Sequence, residues 1–132
     1  MKKIGSPEEL NTLRERLSAT SETPAGQNAA NQPIRVKIAM ATCGIASGAR
    51  EVMETFREEF KKRNMLAEVI QTGCMGYCYA EPNVEITLPG SEPLTFGFVD
   101  TKKASRIIDH YILGNELVDG IIPVNYDTIY NR

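Results

Sequence analysis

The chain has 132 residues, a net charge of −2 and an apolar content of 42%, which predicts one globular domain with a core of its own. The slight negative charge argues against nucleic acid as the main partner, because phosphate binding favours a basic stripe. No stretch approaches the roughly 18 apolar residues that a membrane helix requires, so membrane insertion is not expected. Three cysteines, and no apolar run behind the first lysines, predict a cytoplasmic, reducing setting where thiols act as ligands or catalysts.

Residues 1–33 are predicted to form a helix followed by a flexible linker. In "SPEELNTLRERLSAT", Ser6 is placed to cap the helix, Pro7 suits its first position, and Glu9 completes a capping box. Three leucines then recur at helical spacing. The polar run 21–33 contains proline and glycine breakers and predicts the linker.

Residues 34–122 are predicted to form the compact domain, with a tail at 123–132. Its elements follow the order β-α-β-β-β-α. The strands are predicted at 34–40, 66–72, 84–88 and 94–99 from their alternating or apolar character. The helices are an amphipathic one over 47–63 and a last one that is capped by Asp100 or Thr101 and ended by Gly114.

This element order predicts how the strands pair. A strand–helix–strand unit brings its second strand parallel to the first, and the hairpin over 84–99 adds antiparallel strands to the same sheet. The predicted fold class is therefore α/β: a thioredoxin-like small mixed sheet with helices packed on it.

The three cysteines are predicted to meet at one end of this sheet. Cys43 directly follows the first strand, and Cys74 and Cys78 follow the second in "TGCMGYCYAEP". Because loops after parallel neighbouring strands emerge at the same sheet end, the three sulfurs should converge. Glycines at 44, 48, 73 and 76 would bring backbone amides close to a bulky group. The start of the 47–63 helix would favour thiolate at Cys43.

Several uses of three thiols remain open at this point. A disulfide is unusual in a reducing compartment, and the spacing is not the C-x-x-C of a dithiol oxidoreductase. Zinc would need a fourth ligand, and the single histidine, His110, lies inside the last predicted helix. An iron–sulfur cluster suits an all-thiolate set. Tyr77 and Tyr79 are expected either to screen such a site from water or to belong to the core.

The segments "TCGIASGAREVMETFREEF" and "TGCMGYCYAEPNVEI" resemble the thioredoxin-like [2Fe-2S] ferredoxin family. That family includes the small iron–sulfur subunit of complex I-like NADH-oxidising enzymes. It also includes subunits or domains of electron-bifurcating hydrogenases and formate dehydrogenases. The likeness covers roughly residues 34–122, and the C-x3-C pair is its most specific part.

The resemblance implies an electron-transfer subunit with a [2Fe-2S] cluster, non-catalytic alone, in a hetero-oligomeric NAD(P)H-linked flavin oxidoreductase. Its partner would be the flavin- and NAD(P)H-binding iron–sulfur subunit. The cluster ligands would be Cys43, Cys74 and Cys78. The family has a second cysteine in the first loop that this chain lacks. The fourth ligand would then be a hydroxyl such as Ser47 or Thr42, a partner subunit or water, or the cluster would be labile. The alternatives are a cluster-free structural adaptor of such a complex and a small zinc-binding domain.

Overall fold

The structure, a computed structural model, describes residues 4–20 and 32–123. Helix α1 (Pro7–Thr20) begins where the capping residues predict. The amide of Glu9 donates to the Ser6 hydroxyl at 3.2 Å, and the Glu9 carboxylate accepts from the amide of Gly5 at 2.8 Å. The capping box therefore closes on Gly5. Most of the predicted linker (21–31) and most of the predicted tail (124–132) lie outside the described residues.

Five strands form one mixed sheet in the order β2-β1-β3-β4-β5. Their bounds are Ile34–Ala39 (β1), Ala67–Thr72 (β2), Val84–Thr87 (β3), Leu94–Phe96 (β4) and Ile121–Ile122 (β5). β1 and β2 are parallel, with Ile34 opposite Ala67, and every other neighbouring pair is antiparallel. The predicted parallel pair and hairpin are thus both present, and the thioredoxin-like fold class is confirmed.

Three further helices accompany the sheet: α2 (Thr42–Ala46), α3 (Ala49–Lys62) and α4 (Thr101–Arg106). α3 buries the apolar face that its periodicity predicts, which consists of Ala49, Val52, Met53, Phe56 and Phe60. The side chain of Asp100 caps α4 by accepting from the amide of Lys103 at 2.7 Å. The helix continues as π-helical turns over Ile107–Leu113 and ends at Gly114. The core lies between these helices and the sheet.

Two short elements depart from the sequence prediction. Helix α2 occupies residues predicted as a loop, because five residues that include a glycine are too few to show helical periodicity. β5 adds a fifth strand that the chain from 115 onward did not reveal, since two residues cannot display alternation. Among the described helices, none has the length and apolar character needed to cross a membrane.

Candidate metal centre

The ends of four strands meet at the end of the sheet that carries the cysteines. β1 and β2 both finish there, at Ala39 and Thr72. β3 begins there, since Val84 pairs with Ile38, and β4 finishes there, since Phe96 pairs with Val84. The thioredoxin-like topology therefore gathers the segments after β1, after β2 and after β4 around one place, which is called the thiol end below.

The three thiols interact with one another at the thiol end. The sulfurs of Cys74 and Cys78 lie 3.4 Å apart. Hydrogen bonds with Cys74 and with Cys43 raise the pKa of the Cys78 thiol to about 11, and repulsion from charge on the same two sulfurs adds to the rise. All three side chains are exposed. The structure thus brings together the three cysteines that the sequence places after neighbouring strands.

The spacing of the Cys74–Cys78 pair fits two ligands of one metal ion. Metal–sulfur bonds of about 2.3 Å in a tetrahedral site place two sulfurs roughly 3.8 Å apart, against about 2.05 Å in a disulfide. The observed 3.4 Å lies much nearer the ligand spacing. The amide of Gly76 donates to the Cys74 sulfur at 3.3 Å, and Gly76 has a φ of 88°, which an L-residue rarely adopts. The loop therefore supports negative charge on sulfur.

The raised pKa of Cys78 gives a pH-dependent signature in the cluster-free protein. We expect its alkylation by iodoacetamide to rise with pH along a curve with a midpoint near 11, because the thiolate is the reacting form. In the urea-unfolded chain the midpoint should return to about 8.5. The stability that the protonated thiol contributes is thus present below about pH 8.5 and lost as pH rises through about 11.

Mass spectrometry that resolves the modified cysteine measures both profiles. The Cys43→Ala variant is the control, and its Cys78 midpoint should fall because one hydrogen-bonding and charged neighbour is gone. Superimposable profiles for the folded and unfolded chains would contradict this interaction.

The element that contains Cys43 differs from the sequence prediction. It lies in the first turn of the separate helix α2, and α3 begins only at Ala49, after Gly48 at a φ of 96°. A separate short helix thus stands between Cys43 and α3 in the sequence, and the effect of the dipole of α3 on Cys43 stays a prediction. Gly44 packs α2 onto the end of β1, because a Cβ at this position would collide with the carbonyl oxygen of Ala39. This close approach places Cys43 at the thiol end.

Two buried polar residues that the sequence analysis did not identify lie between the cysteine loop and β3. Asn83 is fully buried, and its side-chain amide donates to the carbonyl of Tyr77 at 3.1 Å, which anchors the loop just before Cys78. Its backbone amide donates to the carboxylate of Glu81 at 3.1 Å. Within the described residues, Glu81 Oε1 and Asn83 Oδ1 have no hydrogen-bond partner. The only signal in the sequence was two polar residues directly ahead of β3.

The aromatic residues of the cysteine loop leave the site open. Tyr77 and Tyr79 pack edge to face, with ring centroids 6.5 Å apart, but the side chain of Tyr79 is 71% exposed. The cysteines are exposed as well. Tyr79 therefore does not belong to the core, and screening of the thiols by the two tyrosines stays a prediction.

The geometry gives no support to a zinc site with His110. The Nδ1 atom of His110 lies 3.3 Å from the Glu116 carboxylate, on the surface of the π-helical segment. Among the residues that the structure describes, no three His, Cys, Asp or Glu side chains are arranged around a position for one metal ion. A cluster with two irons distributes its ligands over both metals, so a pair of thiols plus a third beside them suits it better.

Comparison with known proteins identifies the family. No family model matches the chain. HndB of Solidesulfovibrio fructosivorans, an NADP-reducing hydrogenase subunit, is 45% identical over 95 residues, which cover 71% of this chain and 75% of HndB. The chain belongs to the HndB family. This result confirms the family resemblance drawn from the cysteine segments.

Solved structures confirm the fold of this HndB-family chain. The wild-type thioredoxin-like [2Fe-2S] ferredoxin from Aquifex aeolicus has a TM-score of 0.60 at 21% identity, covering 70% of this chain and 99% of the ferredoxin. A second structure of a thioredoxin-like [2Fe-2S] ferredoxin from Aquifex aeolicus has a TM-score of 0.62 at 20% identity, covering 72% and 94%.

Proposed function

We propose that this protein is the electron-transfer subunit of a hetero-oligomeric, NADP-reducing hydrogenase of the electron-bifurcating type. We propose a [2Fe-2S] cluster as its cofactor, and the flavin- and NAD(P)H-binding iron–sulfur subunit as its partner. The observation that carries the proposal is the group of three exposed thiols at one end of the sheet, in which the sulfurs of Cys74 and Cys78 lie 3.4 Å apart. The relationship to HndB supports the hydrogenase, and the fold shared with [2Fe-2S] ferredoxins supports the cofactor.

The roles of the residues follow from their positions. Cys74 and Cys78, at a sulfur separation of 3.4 Å, would hold one iron, and Cys43 on α2 would contribute to the other. When bound, the cluster supplies a one-electron redox centre. The Gly76 amide, which donates to the Cys74 sulfur, stabilises negative charge there and so favours the reduced state. The exposure of the thiols leaves a route for an electron to a neighbouring subunit.

Ser47 is the better of the two candidates for the fourth ligand. Its amide donates to the carbonyl of Cys43 at 3.0 Å, one helical turn along. Residues four apart lie on the same face of a helix, whereas adjacent residues such as Thr42 and Cys43 diverge. Both hydroxyl-bearing residues are exposed. The helical geometry of α2 therefore favours Ser47 on the side of Cys43.

The fourth-ligand assignment predicts different results for the two hydroxyl variants. Ser47→Ala should change the visible absorption and the electron paramagnetic resonance spectrum of the reduced protein, whereas Thr42→Ala should leave both unchanged. Ser47→Cys should raise the reduction potential, because an alkoxide donates more strongly to iron than a thiolate. A Ser47→Ala spectrum identical to that of the wild type would exclude Ser47, and a change confined to Thr42→Ala would assign Thr42.

Metal analysis of the intact complex tests the function itself. Anaerobically purified complex should contain about two irons and two acid-labile sulfides for each copy of this chain, beyond those of the other subunits. The chain isolated from it should be brown and paramagnetic after reduction. A colourless, iron-free chain from a complete and active complex would favour the structural adaptor, and stoichiometric zinc would favour the zinc domain.

A further inference from the structure

Three apolar side chains on the segments that meet at the thiol end face solvent. Ile45 on α2 is 44% exposed, Tyr79 next to Cys78 is 71% exposed, and Phe98 after β4 is 63% exposed. They come from the three segments that meet at the thiol end. We call these three residues the thiol rim. Apolar side chains exposed together around a site mark an interaction surface more often than chance exposure does.

The backbone itself imposes the exposure of Phe98. Phe98 has a φ of 52°, a left-handed conformation that is strained for a bulky residue. Its amide donates to the carbonyl of Ala80 at 2.8 Å, and the amides of Gly97 and Val99 donate to Gly120 and Pro82, both at 2.9 Å. These bonds tie Phe98 to the turn that contains Cys78. The exposed Phe98 is therefore held next to the turn that contains Cys78.

Three uncharged runs of sequence form most of the thiol end, and Glu81, the charged residue that packs against Gly44 there, is buried. Residues 38–49, 69–80 and 93–99 lack Lys, Arg, Asp and Glu, in a chain that has 15 basic and 17 acidic residues. The centres of stable protein interfaces are likewise poor in charge and rich in aromatic residues. A partner attracted by charge would find no counterpart here. The complementary surface is therefore uncharged and apolar.

We propose that the thiol rim docks on an uncharged, apolar patch of the subunit that exchanges electrons with this chain. The inference rests on the proposed function for the identity of that subunit. The rim residues lie on the three segments that meet at the thiol end, where the thiols are exposed, so a partner seated on the rim would cover the thiols. Phe98 and Tyr79 are rigid aromatic anchors of the kind that dominate interface energies. A second copy of this chain is the alternative occupant.

The test compares rim and control variants in the assembled hydrogenase. The tagged full-length chain is co-expressed with the other subunits and purified anaerobically, and the recovered subunits are identified by mass spectrometry. For Phe98→Asp we expect at least a roughly tenfold loss of the flavin- and NADP-binding subunit. The matched control is Leu66→Asp. Leu66 is 68% exposed and lies at the opposite end of the sheet, where its carbonyl accepts from Ile34.

Two further variants separate docking from folding. Phe98→Gly removes the side chain and relieves the positive φ, so it should fold normally and still lose the partner. Tyr79→Asp should weaken recovery independently. The inference is overturned if the Phe98 variants retain the partner as well as Leu66→Asp does. It is also overturned if they abolish only self-association of the isolated chain, measured by light scattering.

Iron and sulfide content provides a separate readout. All rim variants should keep the wild-type content and visible spectrum, because none of the three side chains is a proposed ligand. Partner loss with an intact cluster supports the docking surface. If the wild-type chain contains no iron and the Phe98→Asp variant still loses the partner, the proposed cofactor is wrong and the docking surface is supported.

Discussion

Replacing Cys78 by serine should reduce the iron and sulfide bound to this chain by more than about tenfold. Even changes to residues behind a metal ligand lower affinity by roughly 10–100-fold, and Cys78 is the thiol that hydrogen-bonds to both of the others. A serine hydroxyl must lose a proton with a much higher pKa than that of a thiol before it binds iron, so serine is a weaker ligand than the cysteine it replaces. Visible absorption and iron and sulfide analysis of the anaerobic chain measure the loss.

The fold should survive this substitution. Cys78 is exposed and contributes nothing to the core, so far-ultraviolet circular dichroism should match that of the cluster-free wild type. Met75→Leu is the matched control, because Met75 lies between the two cysteines and leucine conserves its apolar bulk. Full iron and sulfide content in Cys78→Ser would contradict the ligand assignment. Loss in both variants would point to general damage of the loop.

Gly44→Ala should lower the free energy of unfolding of the cluster-free protein by about 3 kcal/mol. The added methyl group would collide with the carbonyl oxygen of Ala39 and lie 3.1 Å from its carbonyl carbon and 3.2 Å from Glu81 Oε2. Backbone atoms at the end of β1 cannot move aside without disturbing the sheet. Overpacking of this kind costs about 1–3 kcal/mol and occasionally more.

Gly73→Ala is the matched control for this effect. No atom lies within 4 Å of a Cβ at Gly73, and its φ lies outside the left-handed region. We expect a change of less than about 0.5 kcal/mol. Urea unfolding followed by circular dichroism compares the two variants. Equal stability of Gly44→Ala and the wild type would show that α2 is not seated on β1 as the structure has it.

Gly44→Ala should also alter the thiol group. Displacement of α2 moves Cys43 away from Cys78, so the raised pKa of Cys78 should fall toward its ordinary value. The alkylation profile of Cys78 then reports the position of α2 independently of stability. An unchanged profile in a destabilised variant would locate the clash elsewhere.

The structure confirms the predicted elements whose sequence pattern was long. Helix α3 shows its buried face through five apolar residues at helical spacing, and the structure buries all five. The parallel pair β1 and β2 followed from a strand–helix–strand order that allows few topologies. Because of that topology, the sequence alone predicts that the three cysteines lie at the same end of the sheet.

Elements too short to repeat their own period could not be predicted in this way. Helix α2 and strand β5 contain five and two residues, so neither completes a recognisable pattern. Their formation depends on neighbours that are distant in sequence. α2 is seated through the contact of Gly44 with Ala39, and β5 pairs with β4 through Phe96 and Ile121.

Local spacing and residue chemistry in the sequence by themselves determined the thioredoxin-like element order, the three candidate thiolate ligands and the family resemblance. The tertiary structure alone decided how the site is held and what it exposes. The hydrogen bonds from Asn83 to the cysteine loop, the fixed left-handed Phe98 and the open face around the thiols arise from contacts between segments far apart in the chain. Such contacts leave no periodic trace in the sequence, because each depends on a single pair of residues that the fold brings together.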